Sequence, residues 1–378
     1  MSRAPRPVYF NGGASLSSHG WGIAAAADAC LQQRVPQGRV VLPDLESEIS
    51  LPYCAIPGSL PSAGRLQEVA AAAIAGAQLK ASDLSRTGLF IGTSSGDIAE
   101  HERHYAAERR SGQAGIAIRQ PLHGAMAQRL AHACGIGGPC YTFSTACSAS
   151  ANALLYAAWM IREERLDHAL VLGVECQNRI SLLGFRSMLL VARDACRPFD
   201  AAREGIILGE AVAATVLSGT LTADARWCLQ GGANLCDATH PTNPSPETIA
   251  QVIRLALADA GVAAQEIRAV KAHGTGTASN DQGEALGLRQ VFAGNLPPFT
   301  SIKPVLGHTL GACGVLETLV VQGCLERGDL PATAGFTTVD PALGIKPAMI
   351  STPIGPGPVL LNFFGFGGNN CSLVMAPC

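Results

Sequence analysis

An α/β layered architecture is what this 378-residue sequence predicts, on three observations. Short apolar runs such as "HALVLGVEC" (168–176) and "EAVAATVLSG" (210–219) read as strands covered on both faces, because they are apolar throughout instead of alternating. Helical patterns of ten or more residues alternate with them, which is how a sheet acquires a layer on each side. A third pattern occurs twice: "AGAQLKASDLSRTGLFIGTSSGD" from Ala75 to Asp97 and "AGVAAQEIRAVKAHGTGTASND" from Ala260 to Asp281. Each runs from a helix end, through Asp or Glu before Leu or Ile, into a short strand and a Gly/Thr/Ser loop. The chain looks duplicated.

The elements follow in order. Arg3 and Arg6 precede "GWGIAAAADACL", a faint likeness of a secretory signal, but Asp28 and the Gly/Ser/His segment before it argue for an ordinary first helix. A second helical pattern covers Leu66 to Ala75. The longest charge-free stretch, Cys134 to Ile161, is Gly, Pro, Ser and Thr in its first half, and only its second half reads as helix. That shorter length suits a buried core helix, not a membrane span. Ile249 to Ala260 is a helix with Ser245 as N-cap and Pro246 in its first turn. "PVLLNFF" and "CSLVM" form a strand pair around a Gly-rich turn near the C-terminus.

With 48% apolar residues the chain can bury a large core, as two domains or one duplicated unit. A formal charge of −2 offers no basic field for nucleic acid. Thirteen cysteines, an odd number without a Cys-x-x-Cys pair, suit neither a disulfide framework nor a zinc site. A reducing cytoplasm is their natural setting, and most read as small buried hydrophobes.

One thiol reads differently. Cys147, in "TFSTACSASANALLYAAWMI" (142–161), stands where a Ser/Thr/Ala-rich segment meets the apolar helix. There the helix dipole and unpaired backbone N–H groups would stabilise a thiolate, so the pKa is expected to fall and the sulfur to accept an acyl group. Three further segments join it: "KAHGTGTASNDQGEA" (271–285), "SIKPVLGHTLGACGVLE" (301–317) and "NFFGFGGNNCSL" (362–373). His273 and His308 each sit beside a glycine after a strand, where loops gather catalytic groups. Singly, either histidine would pass for a structural one and Lys303 for a surface charge. Together with the Gly-flanked Phe366 they form a coherent site.

"TACSAS", "HGTGT", the run from Lys303 to His308 with Glu317 nine residues later, and "GFGGNN" resemble blocks of the β-ketoacyl-(acyl carrier protein) synthases. These are the elongating condensing enzymes of fatty-acid and polyketide synthesis. The likeness extends through "CRPFDAAREGIILGEA" (196–211). It implies a thiolase-like duplicated fold in five layers, α-β-α-β-α, with residues 1–222 carrying the cysteine and 223–378 carrying both histidines. It also implies that Cys147 takes an acyl chain from the phosphopantetheine of an acyl carrier protein, and that the backbone N–H groups of Cys147 and Phe366 hold the oxyanion. His273 and His308 would hydrogen-bond a malonyl thioester, whose decarboxylation gives an enolate that attacks the acyl-Cys147 carbonyl. Lys303 and Glu317 occupy the places of a supporting pair for the histidine, and Asp281 the matching position after "HGTGT". Thr275 and Thr277 resemble pantetheine-contacting threonines, a role compatible with capping their own loop. Phe185 and Phe366 would shape the acyl pocket. The resemblance implies no metal and no cofactor of the protein's own. Its implied partners are an acyl carrier protein and a second subunit, either a copy of this chain or a chain-length-factor-like ketosynthase.

Residue types separate neighbouring families. Thiolases carry a second cysteine where this chain has "GFGG", with Cys371 several residues late, and initiating synthases have asparagine where His308 stands. The rival of another class is a non-catalytic chain-length factor, which usually lacks the cysteine or a histidine. A hydrolase would need water in an apolar pocket, and "GFGG" lacks dinucleotide-binding spacing. The chain departs from the common pattern in its shorter length, in "GEA" at 209–211 for Gly-Glu-Gly, and in Ile206 where phenylalanine is frequent. Shortness together with "GFGGNNCSL" is similar to synthases of specialised pathways, such as those making aryl polyene pigments. Arg186, Arg193, Arg197 and Arg203 read either as cations that meet an acidic carrier protein or as loop-fixing ion pairs.

Overall fold

Among the described residues the path of the main sheet comprises β1 (Tyr9–Ser17), β2 (Thr87–Gly92), β3 (Cys140–Phe143), β4 (His168–Glu175), β5 (Ala211–Ser218), β6 (Trp227–Cys236), β7 (Ala269–Lys271), β8 (Phe299–Thr300), β9 (Val359–Phe364) and β10 (Asn369–Pro377). The computed structural model describes residues 7–43, 48–58, 62–112 and 123–378; Arg3 and Arg6 lie outside them. Laterally the strands run β3-β2-β4-β5-β1-β6-β10-β9-β7-β8. Read outward from the centre, the order β1-β5-β4-β2-β3 recurs as β6-β10-β9-β7-β8, each strand matched by the one five places later. The central β1–β6 pairing rests on Tyr9 opposite Cys228. In both halves the two outer pairings are parallel and the inner pairings antiparallel.

The helices that layer on these strands are α1 (Ile23–Leu31), α2 (Ser62–Gly76), α3 (His123–Cys134), α4 (Ala149–Arg162), α5 (Pro246–Ala260), α6 (Ala278–Phe292) and α7 (Cys313–Leu325). Their apolar contacts sort them into layers. Residues of α2 and α3 pack on one face of the first five strands, and residues of α5 and α6 on a face of the last five. Residues of α1, α4 and α7 fill the cluster between. The result is the five-layered α-β-α-β-α stack. In α7 every residue from Cys313 to Cys324 is buried, as befits a helix apolar on all sides. α5 begins as its sequence predicts, with Ser245 Oγ accepting from Thr248 N at 3.1 Å and Pro246 in the first turn. Among the described residues no helix is long and apolar enough to cross a membrane.

β1 and β6 are the strands that patterning does not reveal. Each is interrupted by a glycine pair, which weakens any strand signal. A Cβ on Gly12 would come within 2.5 Å of Ala77 N, and one on Gly231 within 2.6 Å of Ala260 Cα. The glycines admit the C-terminal ends of α2 and α5 against the sheet. Both strands shift register beside them, between Phe10 and Gly12 and between Leu229 and Gly231. The duplication thus extends to matching irregularities.

Candidate active site

Cys147 sits in a 3-10 turn, Ala146–Ser148, that leads directly into α4. The turn opens on Ala146 at φ 50°, left-handed backbone that a non-glycine residue adopts only when its surroundings hold it there. Ser148 Oγ donates to Thr145 O at 2.8 Å, and Asn152 Nδ2 donates to Thr145 Oγ1 at 2.8 Å. These bonds fix the turn from within α4. The Cys313 thiol at the start of α7 donates to Cys147 O at 3.0 Å. A similar 3-10 turn, Leu310–Ala312, precedes α7.

His308 arrives from the other half. Its backbone N–H donates to Ile207 O at 2.7 Å and its carbonyl accepts from Gly209 N at 3.0 Å, so one strand segment clamps it on both sides. Its Nε2 lies 3.0 Å from Cys147 Sγ. His273 follows β7; its N–H and that of Gly274 donate to the two carboxylate oxygens of Glu284, each at 2.8 Å. The two imidazoles lie 5.3 Å apart at 84°. Cys147, His273 and His308 line one cavity, together with Thr275, Thr277, Ile206 and Phe364. Phe185 and Phe366, stacked at 5.4 Å, line it too. The backbone N–H of Phe366 acts to lower the pKa of the Cys147 thiol.

Behind the histidines lies a buried charge cluster. Glu317 accepts from Lys303 Nζ at 2.8 Å and from Lys271 Nζ at 2.6 Å, and all three side chains are at most 1% exposed. Lys303, which a sequence reader would place at the surface, is interior. Asp281 accepts from the N–H groups of Phe199, Thr275 and Gly276 at 2.7, 3.0 and 3.2 Å, binding the "HGTGT" loop to the 196–211 block. Thr275 and Thr277 share a hydroxyl hydrogen bond of 2.9 Å. Glu175 accepts from Ser94 N, Ser94 Oγ and Gly311 N at 3.0, 2.7 and 2.9 Å, and also from Ser95 Oγ.

The expected fall of the Cys147 pKa is overturned. Burial pushes the thiol up to about 12, against the opposing pull of Lys303 and the Phe366 N–H. The helix N-terminus is present, but desolvation of a thiolate outweighs it. Burial, reinforced by Lys303 and Lys271, holds both imidazoles well below their ordinary range. Both shifts favour a neutral thiol against a neutral imidazole. Among the described residues neither histidine's Nδ1 has a hydrogen-bond partner. Among the described residues no group of three or more His, Cys, Asp or Glu side chains could hold a metal ion.

Of the four arginines, Arg203 fixes a loop, donating to Asp340 Oδ2 at 2.7 Å and to Asp200 O at 2.9 Å. Arg186 and Arg193 are exposed and Arg197 is half-buried. Cys371 is buried within β10 opposite Phe363. Sequence reasoning missed Lys271, Glu175 and Glu284, as well as His240, which lines the cavity. The two acids bind backbone N–H groups of loops, which residue spacing does not announce. Lys271 stood in a quoted motif, and its place at the end of a buried strand was the available signal.

Two family models match the chain: "Beta-ketoacyl synthase, N-terminal domain" over residues 61–223 and "Beta-ketoacyl synthase, C-terminal domain" over 228–337. The chloroplastic 3-oxoacyl-[acyl-carrier-protein] synthase I of Hordeum vulgare is 30% identical over 78% of this chain and 68% of its own length. Nodulation protein E of Rhizobium meliloti is 32% identical over 63% of this chain, and the aligned part spans 62% of that protein. A structure of a ketosynthase in complex with its chain length factor from Xenorhabdus doucetiae superposes with a TM-score of 0.85 at 28% identity, covering 100% of both chains.

Proposed function

The chain belongs to the β-ketoacyl synthase family, and from that premise we propose that it catalyses decarboxylative Claisen condensation of an acyl chain with malonyl-acyl carrier protein, as a 3-oxoacyl-[acyl-carrier-protein] synthase. The observation that carries the reading is the convergence of Cys147, His308 and His273 on one cavity, with sulfur and imidazole 3.0 Å apart.

In the first half-reaction the Cys147 sulfur attacks the carrier-bound thioester while its proton passes to His308 Nε2. The carbonyl oxygen gains charge facing the N–H groups of Cys147 and Phe366. The carrier thiolate leaves and takes the proton back from His308. In the second half the malonyl thioester loses carbon dioxide, and the electron pair of the broken bond moves to its carbonyl oxygen as an enolate. His273 and His308 donate to that oxygen, each in the tautomer that puts its proton on the cavity-facing nitrogen. Because neither Nδ1 is pinned by the protein, the fold leaves both tautomers open. The enolate carbon attacks the acyl-Cys147 carbonyl, the C–S bond breaks, and the thiolate takes up a proton from water by way of His308 Nε2. Lys303, Glu317 and Asp281 support this set by position, and Phe185 and Phe366 shape the acyl pocket.

The proposal includes an acyl carrier protein as partner and a second subunit, either a copy of this chain or a chain-length-factor-like sister. The relative from Xenorhabdus doucetiae, solved with its chain length factor, supports the latter. A reducing, cytoplasmic setting goes with it, supported by thirteen cysteines scattered without a Cys-x-x-Cys pair. The test is to offer labelled acyl- and malonyl-carrier proteins to Cys147→Ala and His308→Ala variants, following carbon dioxide and protein mass. Cys147→Ala abolishes acylation and condensation; His308→Ala loses at least 10²-fold in decarboxylation while retaining some acylation. Full decarboxylation without His308 counts against its role.

A further inference from the structure

The charge cluster behind the histidines does not balance. One buried carboxylate faces two buried ammonium groups, which leaves a formal charge of +1 in the interior. An unpaired charge is costly to bury, and a plain Lys303–Glu317 pair would have avoided that cost. Lys271 is the additional member. Its Nζ donates to Glu317 Oε2 at 2.6 Å and to Asn362 O at 2.7 Å, and it lies 3.6 Å from the centre of the Phe363 ring. Those surroundings fit an ammonium. A neutral amine could serve both acceptors, but its lone pair would then face the negative face of the ring.

We propose that Lys271 is a positioning residue: by occupying one oxygen of Glu317, it leaves the cluster a surplus positive charge behind His273 and His308 that favours an anionic extender unit. The inference rests on the condensation reading for the identity of that anion, a malonyl thioester and its enolate. Among the described residues Glu317 is the carboxylate that pairs directly with the two lysines. Glu175 is occupied by serine hydroxyls and backbone N–H groups, and Glu284 by the N–H groups of His273 and Gly274 and the Asn362 amide. Lys271 and Lys303 both act to hold His273 uncharged, and the same two act on His308. The charge needed for balance has to arrive with the substrate. The field acts without contact: it favours the fixed negative charge of the extender from binding through to its enolate, whereas the acyl donor binds uncharged and gains charge only in passing, at an oxygen facing the N–H groups of Cys147 and Phe366.

The experiment compares Lys271→Met, which keeps the length and removes the charge, with wild type. Malonyl-carrier decarboxylation is expected to fall about tenfold while Cys147 acylation by an acyl-carrier protein stays within about twofold. In parallel, NMR titration of the histidine ring protons is expected to move the His273 and His308 midpoints upward in Lys271→Met. The groups facing them are Cys147, Lys303, Lys271, Glu317, Glu175 and Glu284. A merely structural lysine would not shift those midpoints in a folded variant, so unchanged titration with native circular dichroism overturns the inference. Lys271→Gln, which retains a donor for Asn362, gives the same reading if Lys271→Met does not fold. Ordinary midpoints for both histidines in wild type overturn it without any variant. If wild type decarboxylates nothing, the condensation reading falls, and the histidine titrations still decide whether Lys271 exerts its charge.

Discussion

At Cys147 two general expectations about a buried thiol at the start of a helix oppose one another, and burial wins. With the thiol pushed up to about 12, its thiolate fraction grows with every unit of pH through the accessible range. Carboxamidomethylation of Cys147 by iodoacetamide, followed by mass spectrometry, is therefore expected to accelerate steadily from pH 7 to pH 10 (roughly tenfold per unit). A plateau beginning near pH 7 would instead reveal a thiolate–imidazolium pair with His308. Glu284 makes a second test. Both of its oxygens accept N–H groups from His273 and Gly274. In Glu284→Gln, an NH2 group faces one of those donors, and the variant is expected to lose about 1–3 kcal/mol in chemical denaturation. Cys147 was legible from its place between a Ser/Thr/Ala-rich segment and an apolar helix, and His273 and His308 from the glycine beside each, because the residue types form a chemical set. Glu284, Glu175 and Lys271 were not, since their partners are remote backbone groups and a carboxylate from another helix.

Between elements, the fit of α4 against α7 places the sulfur opposite His308. Gly314 makes that approach possible: a Cβ there would fall inside the backbone of Ala151. Gly314→Ala is expected to cost about 1–3 kcal/mol through overpacking and to lower the melting temperature. It also slows acylation of Cys147, because the helix that carries the thiol has to move. The loop at the cavity mouth responds to acid. Burial would raise Asp237, but hydrogen bonds from Thr239 and Ser245 outweigh it and hold it at about 2. A folded-state value below the ordinary 3.8 means that its stabilising contribution is complete above that pH and lost as pH falls through about 2. Asp237→Asn is expected to flatten the acid limb of the stability curve, as read by denaturation between pH 2 and pH 5. The central strands and core helices were legible from apolar runs and caps. β1 and β6 were not, because the glycines that admit the ends of α2 and α5 erase their strand signal.

The two halves are interleaved across the whole molecule. Residues of α4 from the first half and α7 from the second share one apolar cluster with strands of both. Residues 1–222 expressed alone are expected to expose that cluster, bind a hydrophobic dye and lack near-ultraviolet circular dichroism; a cooperative unfolding transition would show otherwise. Periodicity revealed a repeat, but the count of five layers needed the family resemblance, since local patterning says nothing about how sheets stack. The repeat reaches the turn that bears the sulfur. Leu310 opens the Leu310–Ala312 turn at φ 44°, as Ala146 opens its own at φ 50°. Gly311 stands where Cys147 would be, and any side chain there would come within 2.5 Å of the Thr93 carbonyl carbon. One twin has been silenced by crowding, so the symmetric scaffold yields a lopsided workshop: one half wields the blade and the other steadies the workpiece, and exchanging their tasks would require rebuilding the neighbouring loop first.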